Sequence, residues 1–295
     1  MDELTLKAEK IIWSGRALSR LSSGQVVIVD PGVFPGEVFK ARVTKRKKDY
    51  LQARCVHILE SHPSRRPHPC HHSTQCGGCR FGALPNRVQL ELKADLLQRE
   101  LSRGLPRDVQ LPRASAAQSP KGWRYRWRGQ IHVKDHRPHF KALQSDRTVQ
   151  LDDCFLLARP LARALRPLSQ GLQDGRHIIA ASPFDHSVVS AQSSRSLKLP
   201  LTGLASPCQV PAQSFFQANW CLNQHLVSTV VSLLEPYQDV ADLYAGCGNF
   251  ALPLAKAGKR VLAAETDGAA VAAIQANARE MGLHTLQAVQ TDLTR

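Results

Sequence analysis

Three thiols and two imidazoles stand within ten positions of one another in the stretch PCHHSTQCGGCRFGAL: Cys70, His71, His72, Cys76 and Cys79. The chain carries eight cysteines among 295 residues, and it opens MDELTLKAEK, acidic from its second residue and without the apolar stretch of a secretory leader. No run of about 18 apolar residues occurs anywhere. A reducing, cytoplasmic setting is therefore expected, with no membrane partner. Grouped thiols in such a setting read as metal or cofactor ligands before disulfides. Four thiolates satisfy tetrahedral zinc, as do fewer with His71 or His72, and four thiolates equally satisfy a 4Fe-4S cluster. The C-x5-C-x2-C spacing leaves both open. It differs from the C-x3-C-x2-C run of a radical enzyme, which keeps one iron free.

A second chemistry-bearing run is DLYAGCGNFALPLA, residues 242–255. Glycines at Gly246 and Gly248 let the backbone approach a ligand at the carboxyl edge of a strand. Glu265, at the end of the next predicted strand, is placed to take ribose hydroxyls. Because Ala251 completes the relaxed G-x-G-x-x-A pattern, a dinucleotide site stays open on the loop alone. Two details tilt the loop towards S-adenosylmethionine. Asp242, four residues before the first glycine, is the methyltransferase arrangement, and Pro253 falls in the first turns of the following helix, where methyltransferase loops often tolerate it. Asp292, after the third strand, is placed to reach an adenine amino group.

The elements that must hold these groups show in the period of the apolar residues. Residues 8–60 carry short β-branched runs broken by Pro31-Gly32 and Pro35-Gly36, the pattern of a small all-β barrel. Its last turn, with Lys40, Arg42, Lys45, Arg46, Lys47 and Lys48, reads either as a solvated hairpin or, slightly favoured by the chain's overall charge, as a phosphate-contacting one. ESHPSRRPHPC reads as a linker. Val88, Leu90, Leu92, Leu96, Leu97 and Leu101 predict an amphipathic helix over 86–105, its outer face made basic by Arg87, Lys93, Arg99 and Arg103. In GWRYRWRGQIHV, Trp123, Tyr125 and Trp127 alternate with Arg124, Arg126 and Arg128. A strand there would put aromatics on one face and guanidiniums on the other, either as a half-buried strand or as an RNA contact. Residues 130–200 read as strand-like and irregular. From 206 the pattern alternates, with helices over 219–234, 249–257 and 268–281 and strands over 239–244, 260–265 and 285–290, an α/β domain with parallel strands.

The expected fold class is an α+β multidomain chain. A small TRAM- or OB-like β-barrel occupies 1–60, a central β-rich domain with the metal cluster 61–204, and a Rossmann-like S-adenosylmethionine-binding α/β domain, incomplete, 205–295. With 39 Lys and Arg against 24 Asp and Glu, a formal net charge of +15, the chain suits a polyanionic partner that releases counterions on binding, nucleic acid above all.

Cys70, Cys76 and Cys79 with Gly77-Gly78 between the last two, WRYRWRGQIHV, Cys154 in LDDCFLL, SFFQANWCLN and DLYAGCGNFALPLA follow one another in a particular order. In that order the chain resembles the RNA uracil-5-methyltransferases, in the branch with an N-terminal TRAM barrel and an iron–sulfur cluster. GQVVIVDPGVFPGE is similar to the TRAM segment. The resemblance covers almost the whole chain. It implies that Cys70, Cys76, Cys79 and Cys154 bind a 4Fe-4S cluster, with zinc as the alternative; His71 and His72 become bystanders and Cys55, Cys208 and Cys221 ordinary thiols. It implies that Gln217, Tyr244, Asn249, Glu265 and Asp292 contact S-adenosylmethionine, with Gln217 fixing the methionine end unless it serves only as a helix-capping neighbour. It implies RNA as partner, ribosomal RNA first, and a monomer is expected.

The family's chemistry adds a cysteine thiolate to uracil C6, so that C5 attacks the methyl group of S-adenosylmethionine; a carboxylate base then removes the C5 proton and the cysteine leaves. The base must come out of its stack. In the family the cysteine, the carboxylate and an Asp-Pro-Pro-Arg loop all lie beyond the position matched by Asp292. No catalytic residue is therefore assigned here, and Cys247, inside the cofactor loop, is not expected to be the nucleophile. The chain is expected to be an N-terminal portion of a longer protein, or inactive alone, and VADLY (240–244) is expected to form an apolar sheet edge. Two further readings stand beside uracil methylation: a non-catalytic RNA-binding protein with a metal-stabilised domain, and an NAD-dependent enzyme with a zinc module.

Overall fold

A computed structural model describes residues 3–293 other than 107, 144, 191 and 192. The chain divides into two compact units, Met1–Gln118 and Ser119–Arg295.

In the first unit, β1 (Glu3–Lys7), β2 (Lys10–Ile11), β3 (Ala17–Arg20), β4 (Val26–Val29), β5 (Val38–Arg46) and β6 (Tyr50–Glu60) form one sheet in the order β1-β5-β6-β4-β3-β2. All neighbours are antiparallel except β4 and β6. Its two ends, β1 and β2, are consecutive in the chain. The Ala8 N–H donates to Glu37 on one side and the Glu9 N–H to Leu18 on the other, which curls the sheet into a half-barrel. Period-two alternation turns Val27, Val29, Phe39, Ala41, Leu51 and Ala53 inward.

The proline-glycine turn before β5 ends in a carboxylate that organises this unit. The Glu37 side chain is fully buried and accepts the backbone N–H groups of Phe34 (2.9 Å) and His62 (3.0 Å) and the Nε (2.5 Å) and Nη2 (2.7 Å) of Arg65. Arg65 also donates to the Gly32 carbonyl at 2.7 Å and lies over the Phe34 ring. Burial alone would raise the Glu37 pKa. The Arg65 hydrogen bond and the His62 and Phe34 N–H groups outweigh it and hold the carboxyl below its ordinary value. The segment that reads as a linker is thus tied down by a buried ion pair.

Helix α1 (Asn86–Gly104) packs Val88, Leu92 and Leu96 on the barrel core. Only this i, i+4, i+8 row is covered, and Leu97 and Leu101 stay exposed. The basic residues of α1 are engaged within the unit. Arg87 pairs with Glu91, Arg103 with Glu100, Arg99 donates to the Ile11 carbonyl, and Lys93 stands over Phe81. Residues 61–118, expected with a central domain, therefore fall in with the barrel.

The second unit joins an antiparallel sheet to an α/β layer over one continuous core. β7 (Arg128–Lys134), β8 (Arg137–Lys141), β9 (Thr148–Gln150), α2 (Arg159–Gln170), β10 (Gly175–Ala181) and β11 (Val188–Ser190) build the first part, with strand order β11-β10-β7-β8-β9. β12 (Ser196–Leu199) and β13 (Cys208–Pro211) pair as a hairpin. Then α3 (Trp220–Leu233), β14 (Asp239–Leu243), α4 (Ala251–Lys256), β15 (Arg260–Glu265), α5 (Gly268–Glu280) and β16 (Leu286–Gln290) follow, with β14-β15-β16 parallel. β14 is the expected edge, with Leu243 56% exposed beside Leu262 at 42%.

Two expectations fail here. Residues 123–127 are not a strand, because Arg124 adopts φ 57° and breaks the alternation. Arg124 turns onto Asp153 (2.7 Å to Oδ1) and Phe155, Arg128 lies over Phe215, and Trp127 is buried. Helix α2 lies in the stretch read as irregular. Pro160 sits in its first turn, where its missing N–H is not needed. Leu161 and Leu165 are buried, and Arg159, Arg163 and Arg166 form the opposite, exposed stripe.

Candidate functional site

Strand β14 delivers the chain at Leu243 into a loop, 244–250, that precedes α4. Positive φ recurs at alternate residues: Tyr244 (61°), Gly246 (54°) and Gly248 (87°). For a tyrosine this is a strained conformation of the kind found at binding loops. A Cβ on Gly248 would lie 2.9 Å from the Leu252 Cγ and 3.2 Å from the Ile274 Cγ1, whereas one on Gly246 meets nothing within 4 Å. Gly248 therefore serves the packing of α4 against α5, and Gly246 leaves backbone bare to a ligand.

Asp242 Oδ2 accepts the N–H of Ala251 (3.0 Å) at the start of α4. Burial pushes its pKa up to about 6, with the Ala251 N–H opposing and the Glu265 charge adding. A carboxyl raised in the folded state favours folding while protonated. That contribution is present below the unfolded value of 3.8 and is lost as pH rises through about 6. Asp242→Asn is thus expected to stabilise the protein by about 2 kcal/mol at pH above 7 and to change little near pH 4, read from paired thermal melts.

The loop opens onto a cleft of about 150 Å³. Gln217, Tyr244 and Asn249 line it together, with Phe216, Leu199 and Leu201 as apolar wall. Glu265 reaches the loop from β15. Its Oε2 accepts the Gly246 N–H (2.8 Å), and its Oε1 accepts the N–H of Thr266 (2.7 Å), the N–H of Asp267 (3.1 Å) and the Thr266 hydroxyl (3.0 Å). Burial would raise this carboxyl, but these donors hold it below its ordinary value, ionised. Oε2 keeps acceptor capacity. Asp292 does not line the cleft. It stands exposed on the loop after β16, next to Leu293, whose carbonyl lies 3.5 Å from the Tyr244 hydroxyl.

The Asn249 amide is matched by a residue the motif does not contain. Asn223, 2% exposed on α3, donates to the Asn249 Oδ1 (2.7 Å) and accepts from its Nδ2 (3.1 Å). A lone buried amide four residues after the cap residue Asn219 is the only sequence trace of this pair. Asn219 caps α3 through the Leu222 N–H. Cys208 and Cys247 also line the cleft. Burial pushes the Cys208 thiol to about 12 and the Cys247 thiol to about 11, so both remain protonated at neutral pH.

Cys70, Cys76 and Cys79 lie on the turn-rich loop of the first unit. There the N–H of Ser73 donates to the Cys70 carbonyl and that of Cys76 to the His72 carbonyl, and the His71 and His72 rings are 3.9 Å apart. Cys154 belongs to the second unit. Among the described residues no group of three or more His, Cys, Asp or Glu is arranged to hold a metal ion.

The tRNA (uracil-5-)-methyltransferase family model matches residues 168–292. The 23S rRNA (uracil(1939)-C(5))-methyltransferase RlmD of Halomonas elongata is 31% identical over 92% of this chain and 68% of its own length. The protein of the same name from Pseudomonas putida is 29% identical over 98% of this chain and 74% of its own. The crystal structure of Pyrococcus abyssi tRNA (uracil-54, C5)-methyltransferase in complex with S-adenosyl-L-homocysteine superposes with a TM-score of 0.71, covering 97% of this chain and 79% of that one at 18% identity, which shows a shared fold.

Proposed function

The chain belongs to the RNA (uracil-5-)-methyltransferase family, and from that premise we propose that it binds S-adenosylmethionine and RNA for methylation of uracil C5, in 23S ribosomal RNA and in the cytoplasm. The observation that carries this reading is the loop of alternating positive φ opening onto the cleft of Gln217, Tyr244 and Asn249. Bare backbone at Gly246, an ionised carboxylate at Glu265 and an exposed tyrosine ring suit a ligand with a ribose and a flat base. Bound there, S-adenosylmethionine supplies an electrophilic methyl group.

The chain's own residues orient that ligand. Glu265 Oε2 accepts from ribose hydroxyls while holding Gly246 in place. Gln217, exposed just before α3, offers its amide to the amino-acid end, and Asp292, which lies outside the cleft wall, would reach the adenine amino group from the loop after β16. Asn223 locks the Asn249 amide so that the loop keeps its shape. Neither Cys208 nor Cys247, the thiols in the cleft, is assigned the nucleophile's part, because both are buried and protonated.

Isothermal titration of the purified chain is expected to show S-adenosylmethionine binding and no NAD binding; the reverse result would sink the assignment. Formation of 5-methyluridine by the 295-residue chain by itself would overturn the assignment of no nucleophile. From the resemblance of the cysteine motifs we also propose a 4Fe-4S cluster on Cys70, Cys76, Cys79 and Cys154, with zinc as the alternative. No reaction step runs through it, since methyl transfer needs no electrons. Iron, acid-labile sulfide and zinc analysis of protein purified without oxygen decides between cluster, zinc and neither.

A further inference from the structure

The two basic helices differ in what their charges do. On α1 the cations are engaged within the first unit, by Glu91, Glu100, the Ile11 carbonyl and the Phe81 ring. On α2, Arg159, Arg163 and Arg166 are exposed, and none of the three is in an ion pair among the described residues. At positions i, i+4 and i+7 they fall on one stripe that rises about 10 Å along the helix. Like charges at these spacings repel one another, and nothing in the packing of α2 needs them, because Leu161 and Leu165 bury the other face.

Two adjoining hollows, of about 480 and 460 Å³, flank this stripe. Lys121 adds a further cation at one wall, and Trp127 with His186 form the floor. The acidic residues present are Asp152 and Asp153, and Asp153 is already neutralised by Arg124. The floor is a built one. The His186 ring lies parallel to the Trp127 indole (7°, centroids 6.0 Å apart), and His186 is held at φ 59° by its N–H bond to the Ser182 carbonyl. Trp127 is 7% exposed, and its indole N–H is buried without a hydrogen-bond partner. A buried donor left unmade costs about 1–3 kcal/mol.

We propose that this groove of the second unit is an RNA-backbone site in which Arg159, Arg163 and Arg166 hold successive phosphates of a single strand over the Trp127–His186 floor. The guanidinium fork matches phosphate oxygens bidentately. A stripe about 10 Å long suits a chain of phosphates better than one isolated anion. The inference rests on the RNA reading above and assigns the surface that would hold the substrate strand.

The test is fluorescence anisotropy of the full chain with a fluorescein-labelled single-stranded RNA across a chloride series. The triple variant R159Q/R163Q/R166Q is expected to bind at least tenfold more weakly, with a log–log salt slope shallower by about 2. R87Q/R103Q, on α1, is expected to match the wild type. Thermal midpoint and S-adenosylmethionine affinity, unchanged in the triple variant, show that the unit remains folded. A wild-type slope and affinity in the triple variant overturn the groove alone and leave the RNA reading standing. No RNA binding by the wild type overturns both. Displacement of the RNA by inorganic phosphate at matched ionic strength overturns the strand in favour of a free-anion site.

Discussion

Gly248→Ala is expected to lower the melting midpoint by roughly 10 °C and to abolish measurable S-adenosylmethionine binding, while Gly246→Ala lowers the midpoint by only about 2–8 °C and still binds at least tenfold more weakly. The two glycines are two residues apart and both have positive φ, so backbone strain of about 1–2 kcal/mol applies to each. They differ in what a methyl group meets. At Gly248 it runs into Leu252 and Ile274, both fully buried and unable to swing aside, which adds about 1–3 kcal/mol of overpacking. For a unit of this size each kcal/mol moves the midpoint by about 2–4 °C. At Gly246 the methyl group enters open space where the ligand's backbone contact is proposed. Calorimetry and titration on the same two variants separate the roles. A Gly248→Ala protein that melts like the wild type, or a Gly246→Ala protein with unchanged affinity, contradicts this division of labour.

Glu37→Ala should be the most destabilising single change in the first unit, by about 3–5 kcal/mol, because it strands the Arg65 guanidinium and two backbone N–H groups that the carboxylate now accepts. Glu37→Ala/Arg65→Met should recover part of the loss, since no uncompensated charge remains. The carboxyl is held below its ordinary value of 4.5, so its contribution is present above that pH and is lost as pH falls through the folded value. In the wild type the barrel transition should therefore weaken in acid, and in Glu37→Ala this dependence should be blunted. Chemical denaturation of the full chain at pH 7 and pH 4 reads both effects. Equal stabilities of Glu37→Ala and wild type at pH 7 would remove Glu37 from this role.

The α/β elements were legible because their signals are local. β15 matches its expected bounds, and β14, α5 and β16 differ from theirs by one residue, since glycines and aspartates punctuate each turn there. Arg124 shows the limit. Its alternating neighbours are a good strand pattern, and the positive φ that breaks it comes with contacts to Asp153, Cys154 and Phe155, all distant in sequence. Helix α2 was hidden by Pro160 and Pro167, although Leu161 and Leu165 already carried the i, i+4 spacing. At the cofactor loop, residue types and order brought Gln217, Tyr244 and Asn249 to one cleft. The partner of Asn249 escaped, because a buried amide pair is visible only once α3 lies against the loop. For the cysteines, spacing named only candidate donors, because a ligand set that spans distant segments has no local signal.

The bent first strand also sets a timetable for synthesis. Lys10 and Ile11 find β3 within a few residues of leaving the ribosome, but Glu3–Lys7 pair with residues 38–42. The earliest residues made must therefore wait, with Leu6 uncovered, until β5 has emerged to receive them.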